Sequence, residues 1–189
     1  MSRYIPMNVP EVLESSKLRL RFPQFQDAPA MVEAITESHE ELRLWMPWAQ
    51  TIPTVEESES VIQIWQESER HRREFSYYMF SKEDRRVLGA CGVHHIYWDV
   101  PRFEIGYWVR TSETGNGYAT EATRLITNLL FEQFHAERIE IRCDSRNRGS
   151  ASVARRAGYL LEACLRRETR DPQGNLRDTL VFARLRDTD

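Results

Sequence analysis

A strand, a helix and a second strand in unbroken succession set the architecture of this chain. "FEIGYWV" (Phe103 to Val109) is apolar and strand-like. From about Gly117 to Phe134, the residues Ala122, Leu125, Ile126, Leu129, Leu130 and Phe134 recur at helical spacing, and "RIEIRCD" (Arg138 to Asp144) returns to the strand period. A helix between two strands is a crossover, so the two strands run parallel.

The segments on either side fit an antiparallel surround. "KLRLRF" reads as a strand, and "DAPAMVEAITESHEELRLW" as a helix with Met31, Val32 and Ile35 on its apolar side. Thr54 stands three residues before Glu57, a capping box opening a mostly solvated helix that runs to about Arg73. "FSYYMFS", "RVLGACGVHHIYW" and "RFEIGYWV" are three strands. Their connections, Lys82 to Arg86 and Asp99 to Arg102, are short enough to favour antiparallel neighbours. A short helix, "SASVARRAG", ends at Gly158, and two strands flank the turn residues "DPQGN". The expected fold is α+β: one domain over residues 1–189, a mostly antiparallel sheet of about seven strands with one parallel pair, and about four helices. A chain of 189 residues is long enough for one sizeable core.

Composition removes several classes of function. Hydrophobic residues at 41% and charged ones at 29% suit a soluble globular protein, and a net charge of −3 argues against nucleic-acid binding through bulk positive charge. No uncharged apolar run approaches a bilayer's thickness, and "MSRYIPMNVPEVLESSKLRLRF" lacks the pattern of a secretory signal. A cytoplasmic protein with no membrane partner is expected. Cys91, Cys143 and Cys164 are odd in number and widely spaced, which fits reduced thiols. Cys91, His94 and His95 are of metal-ligand type, but no further Cys/His pair is spaced to complete a site. They read as strand residues, and no metal is expected.

The mouth of the crossover helix carries "TGNGYATEA" (Thr114 to Ala122). A helix start presents unpaired amides and a partly positive dipole end, and glycine leaves the main chain open to a close anion. On these grounds the loop either holds a pyrophosphate or is a tight turn without a ligand. A Walker loop is excluded because no Lys-Ser or Lys-Thr follows the glycines. A dinucleotide site has its crossover, with Asp144 ending the second strand, yet Thr120 stands where the third glycine belongs.

"TGNGYATEA" resembles the QxxGxA or RxxGxA pyrophosphate loop of the GNAT superfamily of N-acetyltransferases. "FEIGYWV" before it, "DSRNRGSASVARRAGY" after it and "LRLWMPW" near the N-terminus resemble the RimJ/RimL-type branch, which acetylates protein N-termini and other amines. The likeness runs from "KLRLRF" to the final hairpin. It implies a single GNAT-like domain whose parallel strands splay to admit acetyl-CoA as cosubstrate. The backbone of Val109 and Arg110 would then pair with the pantetheine arm, and the amides of Gly115, Asn116, Gly117, Tyr118 and Ala119 would hold the pyrophosphate. Thr114 occupies the family's Gln/Arg position, a departure that implies weaker anchoring. The segment from Arg138 to Arg170 holds nine arginines against four acidic residues. Arg146, Arg148 and Arg155 are candidates for the phosphates of coenzyme A, with a solvated helix face as the other reading.

Acetyl transfer needs a neutral amine, a polarised thioester and a proton donor for the leaving thiolate. Strand alternation sets Glu104, Gly106 and Trp108 on one face of "FEIGYWV", and Glu104 is its only acid. A lone glutamate is by default solvated, but the family carries a base at this strand position, so the resemblance implies that role for Glu104. The family's usual tyrosine acid is replaced by Ala154. As in the RimL-like branch, Ser150 is placed to hydrogen-bond the leaving sulfur, with helix N-capping as its alternative. Asn147 would bind the pantetheine arm or, as its plain alternative, form the turn. Cys143 invites a route through an acetyl-enzyme, but no histidine lies close to it in sequence. Trp45 and Trp48 match a loop bordering the acceptor pocket, and Trp98 and Trp108 join them there or else pack in the core.

The resulting expectation is acetyl transfer from acetyl-CoA to a primary amine by direct attack in a ternary complex. The acceptor is a peptide N-terminus, such as that of a ribosomal protein, or a small-molecule amine, and the enzyme acts as a monomer or homodimer. Two other classes stay open, a non-catalytic acyl-CoA-binding module and a dinucleotide-binding enzyme.

Overall fold

The computed structural model describes residues 9–71, 73–83 and 86–186. Residues 1–8, part of the stretch tested for a targeting signal, lie outside these, as do 72, 84 and 85 at the expected ends of the second helix and the first short connection.

The chain runs β1 (Val12–Glu14), β2 (Leu18–Arg21), α1 (Ala28–Trp45), α2 (Val55–Arg70), β3 (Phe75–Ser81), β4 (Val87–Tyr97), β5 (Arg102–Val109), α3 (Tyr118–Glu132), β6 (Arg138–Asp144), α4 (Arg148–Arg156), β7 (Leu160–Arg170) and β8 (Leu176–Leu185). The eight strands form one sheet in the order β1-β2-β3-β4-β5-β6-β8-β7, and the β5–β6 pair is its parallel step. The sheet therefore has one strand more than the seven expected. β1 is three residues long, too short to show a period, and it pairs antiparallel with β2.

Each face of the sheet carries its own apolar layer. Phe103 and Ile105 of β5 join Ala122, Ile126, Leu129 and Leu130 of α3 in one buried cluster. On the other face, Tyr78 of β3 and Ala90 of β4 pack with Met31, Ala34, Ile35 and Leu42 of α1 and Ile62 of α2. The capping box is present: the Glu57 amide donates to Thr54 Oγ1 at 3.2 Å and the Thr54 amide to Glu57 Oε2 at 2.8 Å. α2 buries little besides Ser58, Ile62 and Ser68, as its polar sequence requires. α4 stops where Gly158 takes a φ of 89°, its amide donating to Arg155 O at 3.0 Å, an ending favoured by glycine. The three cysteines are free, with Cys91 and Cys143 buried and Cys164 exposed. No helix among the described residues is long and apolar enough to cross a membrane.

Candidate active site

The crossover places a split in the sheet. β5 and β6 pair at only three positions, Arg102 with Arg138, Phe103 with Ile139 and Glu104 with Glu140. Beyond Glu104, β5 continues to pair with β4 as far as Val109, while β6 continues with β8 as far as Asp144. The two central strands thus part just past Glu104 and leave a V. One wall of its mouth meets α4: the Tyr107 hydroxyl lies 3.0 Å from the Ser150 carbonyl, to which it donates, and 3.1 Å from Ser150 Oγ. Asn147, and not Ser150, caps α4, its Oδ1 accepting from the Ser150 amide at 2.9 Å. The Ser150 side chain is therefore not spent on the cap.

The segment after β5 is fixed by α1. The Thr111 amide donates to Ser38 Oγ at 3.0 Å and the Ser112 amide to Glu37 Oε1 at 3.0 Å. The buried Arg110 guanidinium bonds Glu37 Oε2 at 2.5 Å and also Glu33. Burial alone would push the Glu37 carboxyl up, but the hydrogen bonds from Ser112 and Arg110 outweigh it and hold the group at about 2. The Glu113 and Thr114 amides close back onto the carbonyls of Arg110 and Thr111. There the pairing stops: the amides of Gly115, Asn116, Gly117, Tyr118, Ala119 and Thr120 meet no acceptor among the described residues. Gly115 and Gly117 have φ of 87° and 85°, the left-handed region in which other residues are strained, and a Cβ on either would face open space. The glycines are thus required first by the backbone path. The Thr120 hydroxyl beside them is buried and has no partner among the described residues.

These parts line one cleft of about 530 Å³. Tyr107, Trp108 and Val109 line it from β5; Thr114, Gly115, Gly117, Tyr118, Ala119 and Thr120 from the loop and α3; and Asn147, Ser150 and Arg156 from α4. Three of the groups expected here are engaged elsewhere: the Arg155 and Arg146 side chains and the Arg110 backbone. Arg155 sits over the Phe182 ring at 5.2 Å, and the next residue, Arg156, lines the cleft. The Arg110 amide is taken by Leu88 O at 2.7 Å and its carbonyl accepts from Glu113, so its backbone is already paired. Asn116 turns its side chain to Glu113 Oε2 at 3.1 Å, and its amide stays among the loop amides without an acceptor among the described residues. Arg146 is tied to Asp144 and Asp171, and no phosphate role is needed to explain it.

A second, strongly apolar cavity of about 550 Å³ lies on the α1/α2 face, lined by Met31, Trp48, Val61, Trp65, Tyr78 and His94 among others. Met46, Tyr107 and Trp108 line both hollows, so the two adjoin. Trp48 and Trp108 stand here as expected, their rings tilted with centroids 6.2 Å apart. Trp45 instead lines the first cleft. Trp98 packs edge-on to Phe103, away from both. Three residues escaped the sequence reading: Arg156, next to the expected Arg155; Trp65, on a helix read as solvated although Val61 and Ile62 precede it at helical spacing; and Tyr107, read only as a member of an apolar strand face.

Glu104 lies at the vertex of the V, beside His94, with its Oε1 3.8 Å from His94 Nε2. It lines a smaller hollow of about 320 Å³ with His95, Arg102, Glu140 and Arg142. Burial raises its carboxyl above the ordinary value, against the pull of His95 and Arg142. His94, which lines the apolar cavity, is held down at about 4 by burial and by neighbouring His95, so its imidazole is neutral at neutral pH. Burial also raises the Cys143 thiol, which disfavours a thiolate nucleophile there.

A sheet split beside a helix start whose amides find no acceptor among the described residues can admit an extended ligand and rest an anion on main chain. Residues 17–160 match the acetyltransferase (GNAT) domain model, and the chain belongs to that family of acetyl-CoA-dependent N-acetyltransferases. It is 30% identical over 118 residues to the probable N-acetyltransferase YjcK of Bacillus subtilis, covering 62% of this chain and 65% of that protein. With the ribosomal-protein-serine acetyltransferase of Escherichia coli it shares 26% identity over 153 residues, 80% of this chain and 84% of that one. The fold superposes with a TM-score of 0.87 on RimL, a ribosomal L7/L12 alpha-N-protein acetyltransferase in complex with coenzyme A, at 23% identity over 95% of this chain and 100% of that one. Family membership sets aside the dinucleotide reading.

Proposed function

We propose that the chain transfers an acetyl group from acetyl-CoA to a primary amine, the N-terminal α-amine of a peptide or a small-molecule amine, by direct attack in a ternary complex. The observation that carries this is the parting of β5 and β6 just past Glu104, next to six consecutive amides without an acceptor among the described residues. Gly115 to Thr120 suit a diphosphate, with Thr120 Oγ1 as a further donor and Arg156 as a cation nearby. Val109 and Asn147 take the pantetheine arm. The named activities of RimL and of the E. coli relative favour a protein N-terminus as acceptor.

Acetyl-CoA supplies the activated acyl group, and the chain's residues do the rest. The apolar cavity orients the amine-bearing end of the acceptor, with Trp48, Trp65 and Trp108 excluding water. Glu104 accepts the amine's proton, through His94 or a water, as nitrogen bonds to the carbonyl carbon and the carbon–sulfur bond breaks. Ser150, its Oγ proton turning from the Tyr107 hydroxyl towards the cleft, donates a hydrogen bond to the departing sulfur. Its proton need be lent only briefly, since a thiolate is a good leaving group. An α-amine with a pKa near ~8 is about a fifth neutral at pH 7.4, so a modest base suffices.

The test is release of free thiol from acetyl-CoA on adding peptides with different N-termini, then a panel of small amines. Turnover with at least one member, with no acetyl-enzyme formed from acetyl-CoA alone, is expected. Tight acetyl-CoA binding without turnover on any acceptor would convert the reading to a non-catalytic binding module. An isolable acetyl-Cys143 would replace direct attack by a two-step route.

A further inference from the structure

We infer that His94, His95 and Glu104 form a binding site for a transition-metal dication such as Zn²⁺, which would block the acetyl-transfer base when filled. The sequence offered only half of such a site. Strand alternation should turn His94 and His95 to opposite faces. It does not, because β4 carries a bulge: His94 pairs with Glu104 and Tyr97 with Arg102, three steps on β4 against two on β5. His95 absorbs the extra residue at a φ of 49°, in the left-handed region. Bulges re-aim side chains, and left-handed non-glycine residues concentrate at functional sites. Here the two imidazoles end with ring centroids 5.0 Å apart, and one ligand atom each from His94, His95 and Glu104 lies within 4.8 Å of the others.

The hydrogen bonding of His94 fits a ligand. Its Nδ1 lies 3.3 Å from the Glu104 carbonyl oxygen. A carbonyl only accepts, so Nδ1 carries the hydrogen and the Nε2 lone pair is left facing Glu104 Oε1 at 3.8 Å. Metal-bound histidines commonly donate their second ring nitrogen to a backbone carbonyl in this way. Two lone pairs converging across a gap, with a third ligand from His95, leave room for one cation. Ligand atoms around a tetrahedral zinc stand about 3.3 Å apart, so side-chain rotations of a fraction of an ångström to about 1.5 Å would close the set. Three protein ligands, two of them lining the smaller hollow, leave the fourth position to water. Arg102 and Arg142 at the rim oppose the cation, while Glu140 favours it. Cys91 takes no part, because it faces the α3 side of the sheet within the main core.

The binding claim stands on geometry alone; the inhibition claim also rests on Glu104 being the base. The two are separated by titrating Co²⁺ into the untagged full chain, without acetyl-CoA or acceptor, and reading its visible absorption. One equivalent bound with a tetrahedral-type spectrum, displaced by Zn²⁺, is expected. His95→Asn keeps a residue tolerant of the left-handed backbone and should weaken binding at least about tenfold, with thermal unfolding confirming that the variant is folded. No spectrum in the wild type, or equal affinity in H95N, would overturn the site. If the metal binds as expected but Zn²⁺ leaves turnover unchanged, the inhibition claim fails and the site survives. If Zn²⁺ inhibits in the range where it displaces Co²⁺ and a chelator restores activity, both hold.

Discussion

The cleft along β5 and the cavity beneath α1 and α2 share Met46, Tyr107 and Trp108, yet they are built from different materials. The cleft presents main chain: free amides from residue 115 to 120, a strand edge opened by the parting of β5 and β6, and two glycines with φ near 86° on average. The cavity presents side chains, three of them tryptophans and two methionines. Backbone recognition suits a ligand of fixed chemistry such as a diphosphate-bearing cosubstrate. A lining of aromatic and thioether groups is easily altered by substitution, and so suits an acceptor that differs from one relative to another. Glu104 lines neither: it stands in the smaller hollow at the vertex of the V, 3.8 Å from His94, a residue of the cavity wall.

Variants on either side can break this division. The largest effect is expected at the vertex of the V. Glu104→Gln should lower kcat by about a hundredfold or more while leaving acetyl-CoA binding intact in a thermal-shift titration. A kcat within threefold of wild type would remove Glu104 as the base. Next comes Gly117→Val on the cleft side. A β-branched residue at φ 85° costs on the order of 1–2 kcal/mol and disturbs the amides, so KM for acetyl-CoA should rise while KM for the acceptor does not. On the cavity side Trp65→Ala should do the reverse, raising the acceptor's KM about tenfold by removing aromatic surface. Parallel changes in both constants for either variant would show that the two hollows are one site.

The smallest effect concerns the strut beneath the loop. The Glu37 carboxyl has an ordinary value of 4.5 and is held at about 2 in the folded chain, so it binds its proton less readily when folded. Its contribution to stability is therefore fully present above about pH 4.5 and is lost as pH falls towards 2. Glu37→Gln should flatten that part of the stability profile measured by urea unfolding. An unchanged slope would mean that the Ser112 and Arg110 bonds are not what depresses it.

The crossover, the hairpins, the capping box and the position of the glycine loop were legible because each is written in local periodicity or turn chemistry. What was not legible depends on rotation and register. Arg155 and Arg156 differ by about 100° around α4, so a one-residue choice decides which meets Phe182 and which meets the cleft. Strand alternation correctly put Tyr107 opposite Glu104, but its reach to Ser150 depends on where α4 docks. The approach of His95 to Glu104 was hidden by a bulge that no residue in "GVHHIYW" announces. Trp45 and Trp48 lie three residues apart, and the break after α1 sends them into different hollows.

The central claim is that acetyl-CoA is gripped by the main chain at the start of α3. Backbone amide exchange, measured residue by residue with and without acetyl-CoA, tests it most directly. Strong new protection at Gly115 to Thr120, with Val109 also slowed, is the predicted result. Protection confined to the tryptophan-lined cavity, with 115–120 exchanging as freely as before, would contradict it.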